Sequence, residues 1–169
     1  FLIAQARVGR ENICVVGDAA GGGLALSMCE SLRSDKLPLP SSLTLLTPWV
    51  DLSLSNPELK EAEKYEVVQS LEGLAMAAQL YRGGISAQDK RVSPINGGFS
   101  DFPEINIFTG THDILYPDSK QLRCHLKNID HPYRYFEYPK MMHGFMGTPY
   151  LRESQFVINQ IISLLENKI

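Results

Sequence analysis

The sequence predicts an α/β fold: a mostly parallel sheet with helices on both faces. Three observations carry this. Ile13-Cys14-Val15-Val16 is a short, continuous apolar run, rich in β-branched residues and closed by Gly17. It reads as a strand buried on both faces, the pattern of parallel sheets. Similar runs return at Leu43-Thr44-Leu45-Leu46 and Ile105-Asn106-Ile107-Phe108. Segments with helical spacing separate them, and strand–helix alternation is the order of parallel βα units.

Taken in order, Leu2, Ile3, Ala6 and Val8 are spaced as the end of a helix, so a chain opening at Phe1 starts inside an element and reads as a fragment. Gly21-Gly22-Gly23 follow the first strand, and residues 24–32 continue as a helix. Pro38 and Pro40 mark the loop before the second strand, which Pro48 ends. Residues 58–82 have a helical pattern, with Tyr65, Val68, Leu71, Leu74, Ala78 and Tyr81 in phase, and Gly83-Gly84 stops it. The stretch 53–92 is longer than a crossover needs and has room for an inserted cap. Thr109-Gly110 ends the third strand, a helix is expected over 117–127, and the aromatic run 133–138 reads as a fourth strand. A last helix over 151–165 sets Phe156, Val157, Ile161, Ile162 and Leu165 to one side. The 169 residues fit one partial domain.

Composition narrows the function classes. The chain is 44% hydrophobic and 21% charged, as globular proteins are. Sixteen basic and nineteen acidic residues give a net charge of −3, which offers no general reason to bind nucleic acid or an anionic membrane. No apolar run approaches the roughly 18 residues a membrane helix requires. Cys14, Cys29 and Cys124 stand far apart without a CxxC pair or a His/Cys cluster. A reduced, cytoplasmic setting without a metal site or other cofactor is the expectation.

The chemistry is expected at Gly17-Asp18-Ala19-Ala20-Gly21-Gly22, between a strand and a helix. A G-x-S-x-G turn at that place lifts a nucleophilic serine out of the sheet. Both flanking glycines are here, but the central residue is Ala19. Read alone, the turn is equally a glycine-rich helix start that could hold a phosphate. A P-loop lacks its Gly-Lys-Ser/Thr, and the dinucleotide fingerprint fails on spacing.

The rest of the chain resembles the hormone-sensitive-lipase-like family of α/β-hydrolases, esterases whose elbow reads Gly-Asp-Ser-Ala-Gly-Gly. The matching pieces are the turn with Gly23-Leu24-Ala25, Leu45-Leu46-Thr47-Pro48-Trp49-Val50-Asp51-Leu52-Ser53, Val92-Ser93-Pro94-Ile95, Gly110-Thr111-His112-Asp113-Ile114-Leu115 and His143-Gly144-Phe145, in the family's order. The resemblance implies the C-terminal part of an α/β-hydrolase fold with part of a helical cap, acting on a small-molecule ester. It places Ala19 at the nucleophile's position, Asp113 as triad acid, His143 as general base and the Ala20 N–H as an oxyanion donor. Trp49, Met142 and Phe145 become substrate-pocket candidates, with Met141 beside them, although a core role suits each equally.

Competing residues have plainer roles. Asp51 also follows a strand, where some hydrolases place their acid, yet a loop aspartate after a Trp reads as a turn residue. His112 should point away from its neighbour Asp113. His125 and His131 read as surface residues, Asp18 as a hydrogen-bonding brace for the turn, and Cys14 and Cys29 as small buried residues.

Two departures from the family pattern matter. A methyl group at position 19 cannot attack a carbonyl, and the family's four preceding strands and His-Gly-Gly oxyanion segment are absent. The chain as written is expected to be catalytically inactive. An engineered esterase, a natural non-catalytic relative that binds a ligand or partner, and a truncated gene remnant all fit. The strand at 13–16 would then need its missing N-terminal half or another copy as a neighbour.

Overall fold

A computed structural model describes residues 8–166. The helix expected at the first residues lies outside this range. Four strands form one sheet in the order β1-β2-β3-β4: β1 (Cys14–Asp18), β2 (Ser42–Leu46), β3 (Glu104–Gly110) and β4 (Tyr133–Tyr138). Every neighbouring pair is parallel, with Val15 opposite Leu43, Leu43 opposite Ile105 and Ile105 opposite Tyr133. All four carboxyl ends therefore lie on one edge, and the loops leaving that edge carry the turn at Ala19, the loop at Asp113 and the loop at His143.

The period of two along each strand divides the core. Leu43, Leu45, Ile105 and Ile107 face one side with Leu26 and Cys29 of α1 (Ala20–Ser34) and with Leu122 and Leu126 of a helix at Tyr116–Asn128. Phe108 faces the other side, against Phe145, Met146 and Val157 of a helix at Arg152–Glu166. Leucines and isoleucines with no exposure, as at positions 43, 45, 105 and 107, each contribute about 1.5–3 kcal/mol by leaving water. Helices thus cover both faces, as the sequence predicts.

Two expectations are corrected. The first strand is not buried on both faces: Val16 is 49% exposed. Among the described residues β1 is an edge strand paired only with β2, and the helix at 152–166 lies over β3 and β4 instead. The second concerns the single helical phase over 58–82. The chain forms a short α2 (Leu59–Ala62), leaves the helix, and restarts as α3 (Leu71–Arg82). Ser70 caps α3 by accepting the Gly73 N–H, which fixes the restart. Tyr65, Val68 and Tyr81 are exposed, while Leu74 and Ala78 turn inward to Trp49, Leu52 and Ile114. The helices at 116–128 and 152–166 are α4 and α5.

Candidate active site

The turn after β1 is strained. Ala19 has φ 49° and ψ −115°, a left-handed conformation that costs a non-glycine residue on the order of 1–3 kcal/mol. Backbone bonds hold it there: Ala19 N–H donates to Leu46 at 2.9 Å, and its carbonyl accepts from Trp49 and Gly22, each at 3.0 Å. Gly17 is required by close approach, since a Cβ there would lie 2.4 Å from the Gly21 carbonyl oxygen. Gly21 itself has open space around it. Ala20 begins α1, so its N–H is among the amides a helix start leaves without an intrahelical acceptor.

The loops after β3 and β4 meet beside this edge. A Cβ on Gly110 would lie 2.1 Å from the Met141 carbonyl oxygen, so the glycine ending β3 lets the β4 loop close onto it. The same carbonyl accepts the His112 N–H at 3.0 Å. The closure brings His143 Nδ1 to 3.1 and 3.0 Å from the two oxygens of Asp113, both side chains buried. Asp113 Oδ1 also accepts the Leu115 N–H at 2.7 Å.

Burial pushes the Asp113 carboxyl up from the usual carboxylate range, against the lowering effect of the His143 hydrogen bond and charge and the Leu115 amide. Burial also opposes charge on His143. The hydrogen bond and charge of Asp113, followed by Glu66 and Asp18, more than offset it, so the imidazole holds its proton more firmly than a free one. A buried carboxylate on Nδ1 fixes the neutral tautomer that leaves Nε2 unprotonated and able to accept a proton.

A family model described as alpha/beta hydrolase fold covers residues 2–147. The chain belongs to the α/β-hydrolase-fold family. It is 27% identical to an acetyl-hydrolase of Streptomyces hygroscopicus over 78% of this chain and 44% of the relative. With an esterase of Acinetobacter venetianus it shares 29% identity over 80% of this chain and 45% of the relative. Among solved structures, a hormone-sensitive lipase from a metagenome library superposes with TM-score 0.94 at 26% identity, covering 99% of this chain and 56% of that one. The chain spans about half the length of the relatives it matches.

Elsewhere in this α/β-hydrolase chain, the other candidates separate. Asp51 is a turn residue, its oxygens accepting Ser53 N–H at 2.8 Å and Ser55 O–H at 3.3 Å. His112 stacks on Tyr65, away from Asp113. Asp18 is exposed and its side chain braces no part of the turn, contrary to expectation. His125 sets its ring edge on Phe99, and His131 Nε2 lies 3.0 Å from the Pro103 carbonyl, so neither is a free surface histidine. All three cysteines are free thiols; Cys29 is buried and its thiol is pushed up to about 11 by burial, while Cys14 is half-buried.

A groove of ≈ 230 Å³ opens between α1 and α3 beside the turn, walled by Ala20, Leu24, Trp49, Leu52, Tyr81 and Val92. Trp49 is thus placed on a pocket wall. Phe145 is not: it has no exposure and fills the core between β3 and α5. Met142 and Met141 are half-buried against that same cluster and do not face the groove.

Three residues have structural roles that the sequence reading did not assign, Ser93 having been noted only as part of a matching motif. Asp118 is buried in the first turn of α4 and accepts the Val50 and Asp51 amides. Ser93, fully buried, takes the Leu52 N–H at 2.7 Å and donates to the Ala87 carbonyl at 2.6 Å, tying the loop after β2 to the segment before β3. Glu66 reaches the acid-bearing loop at Ile114 N–H. Asp118 carried a faint signal, an acid just after a proline at a helix start.

Among the described residues no helix is long and apolar enough to cross a membrane, and no cluster of His, Cys, Asp or Glu is arranged for a metal ion.

Proposed function

We propose that this chain carries the nucleophile turn, acid and base of a carboxylic-ester hydrolase, silenced by alanine at position 19. The buried Asp113–His143 hydrogen bond, on the sheet edge where the strained Ala19 turn stands, supports this reading most directly. With a serine at that turn, the hydroxyl attacks the ester carbonyl while His143 takes its proton. The imidazolium then returns the proton to the leaving alcohol, and Asp113 holds the ring and its tautomer throughout. The Ala20 N–H donates to the developing oxyanion. The groove at Trp49 takes an apolar part of the ester, and residues 53–92 act as its cap. No cofactor enters these steps.

The relatives' printed names, acetyl-hydrolase and esterase, agree with this class of substrate. A second reading, a non-catalytic ligand- or partner-binding relative, draws support from Ala19 itself, whose methyl packs against the apolar cluster of Trp49, Leu52 and Ile114.

The full-length coding product decides between them. Unaltered, it should turn over short-acyl p-nitrophenyl esters no faster than buffer. Ala19→Ser should create hydrolysis, and adding His143→Ala should remove it, by roughly 10³-fold or more. A silent revertant favours the binding protein; turnover by the unaltered protein overturns the nucleophile assignment.

A further inference from the structure

The segment between α2 and α3 grips the acid-bearing loop at two points. Glu66 Oε2 accepts the Ile114 N–H at 2.9 Å, the amide directly after Asp113. Its Oε1 accepts the amides of Val67 and Val68, each at 2.8 Å. One residue earlier, the Tyr65 ring stacks on His112, the residue before Asp113, with centroids 4.9 Å apart and 26° between planes. Both Glu66 oxygens are committed to amides, so the carboxylate is fixed where it stands rather than free to swing into water. Residues on either side of the acid are thereby held by neighbours in the 53–92 segment.

We propose that Glu66 is a positioning residue for the Asp113–His143 pair, pinning the acid's loop and setting a second fixed negative charge near the imidazole. The proposal rests on reading that pair as the acid and base of ester hydrolysis. The base is cationic only after it has taken the nucleophile's proton, so a carboxylate held near it stabilises that state more than the resting one. Asp113 supplies most of this, but its burial works against its own ionisation. Glu66 adds a second carboxylate, held by three backbone amides at a half-buried position. The charged groups facing His143 are Asp113, Glu66 and Asp18; those facing Asp113 are His143 and Glu66, with Asp118 further along the same loop and helix. The arrangement also makes the acid's position depend on how the 53–92 segment is seated.

The test uses the full-length protein with Ala19→Ser, comparing Glu66→Gln, Glu66→Asp and Glu66→Ala. Glutamine keeps a carbonyl acceptor for Ile114 N–H and loses the charge. The acid limb of kcat/KM, which reports the free enzyme's base, should then move to lower pH. Alanine loses both, and kcat should fall about 10- to 100-fold with a much smaller change in KM, as for a misplaced catalytic group. Aspartate should bring the acid limb back toward its original place. An unmoved limb in Glu66→Gln overturns the electrostatic role, and an unchanged kcat in Glu66→Ala overturns the pinning role. If the alanine variant fails to fold, the glutamine profile decides. NMR titration of the His143 ring in the unaltered Ala19 protein needs no turnover. A lower midpoint in Glu66→Gln there supports the charge role even if the revertant proves silent, and an equal midpoint overturns it.

Discussion

Asp118 Oδ2 accepts the backbone N–H of Val50 at 3.1 Å, joining the first turn of α4 to a loop 68 residues earlier in the chain. The neighbouring Asp51 N–H reaches the same oxygen at 3.1 Å, and the carboxylate's other oxygen has no hydrogen-bond partner among the described residues. Two amides are a partial replacement for the water this carboxylate gave up. Burial pushes its carboxyl up to about 7, against the two amides and with added repulsion from Asp51 and Asp113. The group thus anchors the loop bearing Trp49 while resisting its own ionisation.

A pH dependence of stability follows. Because the folded pKa lies above the unfolded one, the native state binds this proton more tightly. That contribution is complete below about pH 4 and is lost as pH rises to about 7, a change on the order of 4 kcal/mol. Asp118→Asn keeps a carbonyl acceptor for both amides and cannot ionise. Urea midpoints at pH 4.5 and pH 7.5 (roughly, bracketing the window) should therefore shift in the variant's favour as pH rises. Parallel curves for the two proteins across the window would mean that Asp118 does not titrate there.

The elbow offers a second contrast, between two glycines that look alike in sequence. An added Cβ at Gly17 meets the Gly21 carbonyl oxygen at 2.4 Å and the Gly22 nitrogen at 2.8 Å, backbone atoms with no rotamer to yield. Gly17→Ala should destabilise the protein by roughly 2–4 kcal/mol, in the range of severe steric substitutions. At Gly21 nothing lies within 4 Å, and alanine is the better helix former by about 1 kcal/mol. Gly21→Ala should be neutral or mildly stabilising in the same denaturation experiment. Equal losses at both positions would show that the turn, not the close approach, sets the requirement.

The strand–helix order was legible because β2, β3, α1 and α4 are built from residues whose apolar spacing matches what they bury. Leu43 and Leu45, or Ile105 and Ile107, announce their face by period alone. Val16 misled because its apolar character says nothing about whether a neighbour is present to cover it. Residues 58–82 misled for a different reason. A run of helix-compatible spacing was broken by a serine cap and by Glu66, whose carboxylate takes the Val67 and Val68 amides that a continuing helix would have used. At the site, the motif resemblance singled out Asp113 and His143, and the fold brings the two side chains into hydrogen-bond contact at the strands' carboxyl ends, where the topology gathers loops. Glu66 could not be singled out, since nothing local distinguishes it from the exposed acids around it, and Asp118 had only the faint mark of an acid after a proline at a helix start. Their roles exist only once Ile114, Val50 and Asp51 have been brought to them by the fold.

The outer flank of β1 leads to the last prediction. β1 pairs with β2 alone, so the amides and carbonyls along its other side have no partner strand among the described residues. Val16 on the strand is 49% exposed, so apolar surface adjoins the open edge. Unpaired strand groups beside an apolar face are a template for adding another chain. Expressed as these 169 residues alone, the protein should scatter light with a concentration-dependent mass above 18.9 kDa. Val16→Lys should lower that mass, because a charge on an edge strand must be desolvated when a second strand docks. Supplying a peptide strand that pairs with the open side of β1 should suppress self-association more completely by satisfying the edge. A monomer of 18.9 kDa at every concentration, with rapid amide exchange along β1, would show that water satisfies this edge and that no partner is needed there.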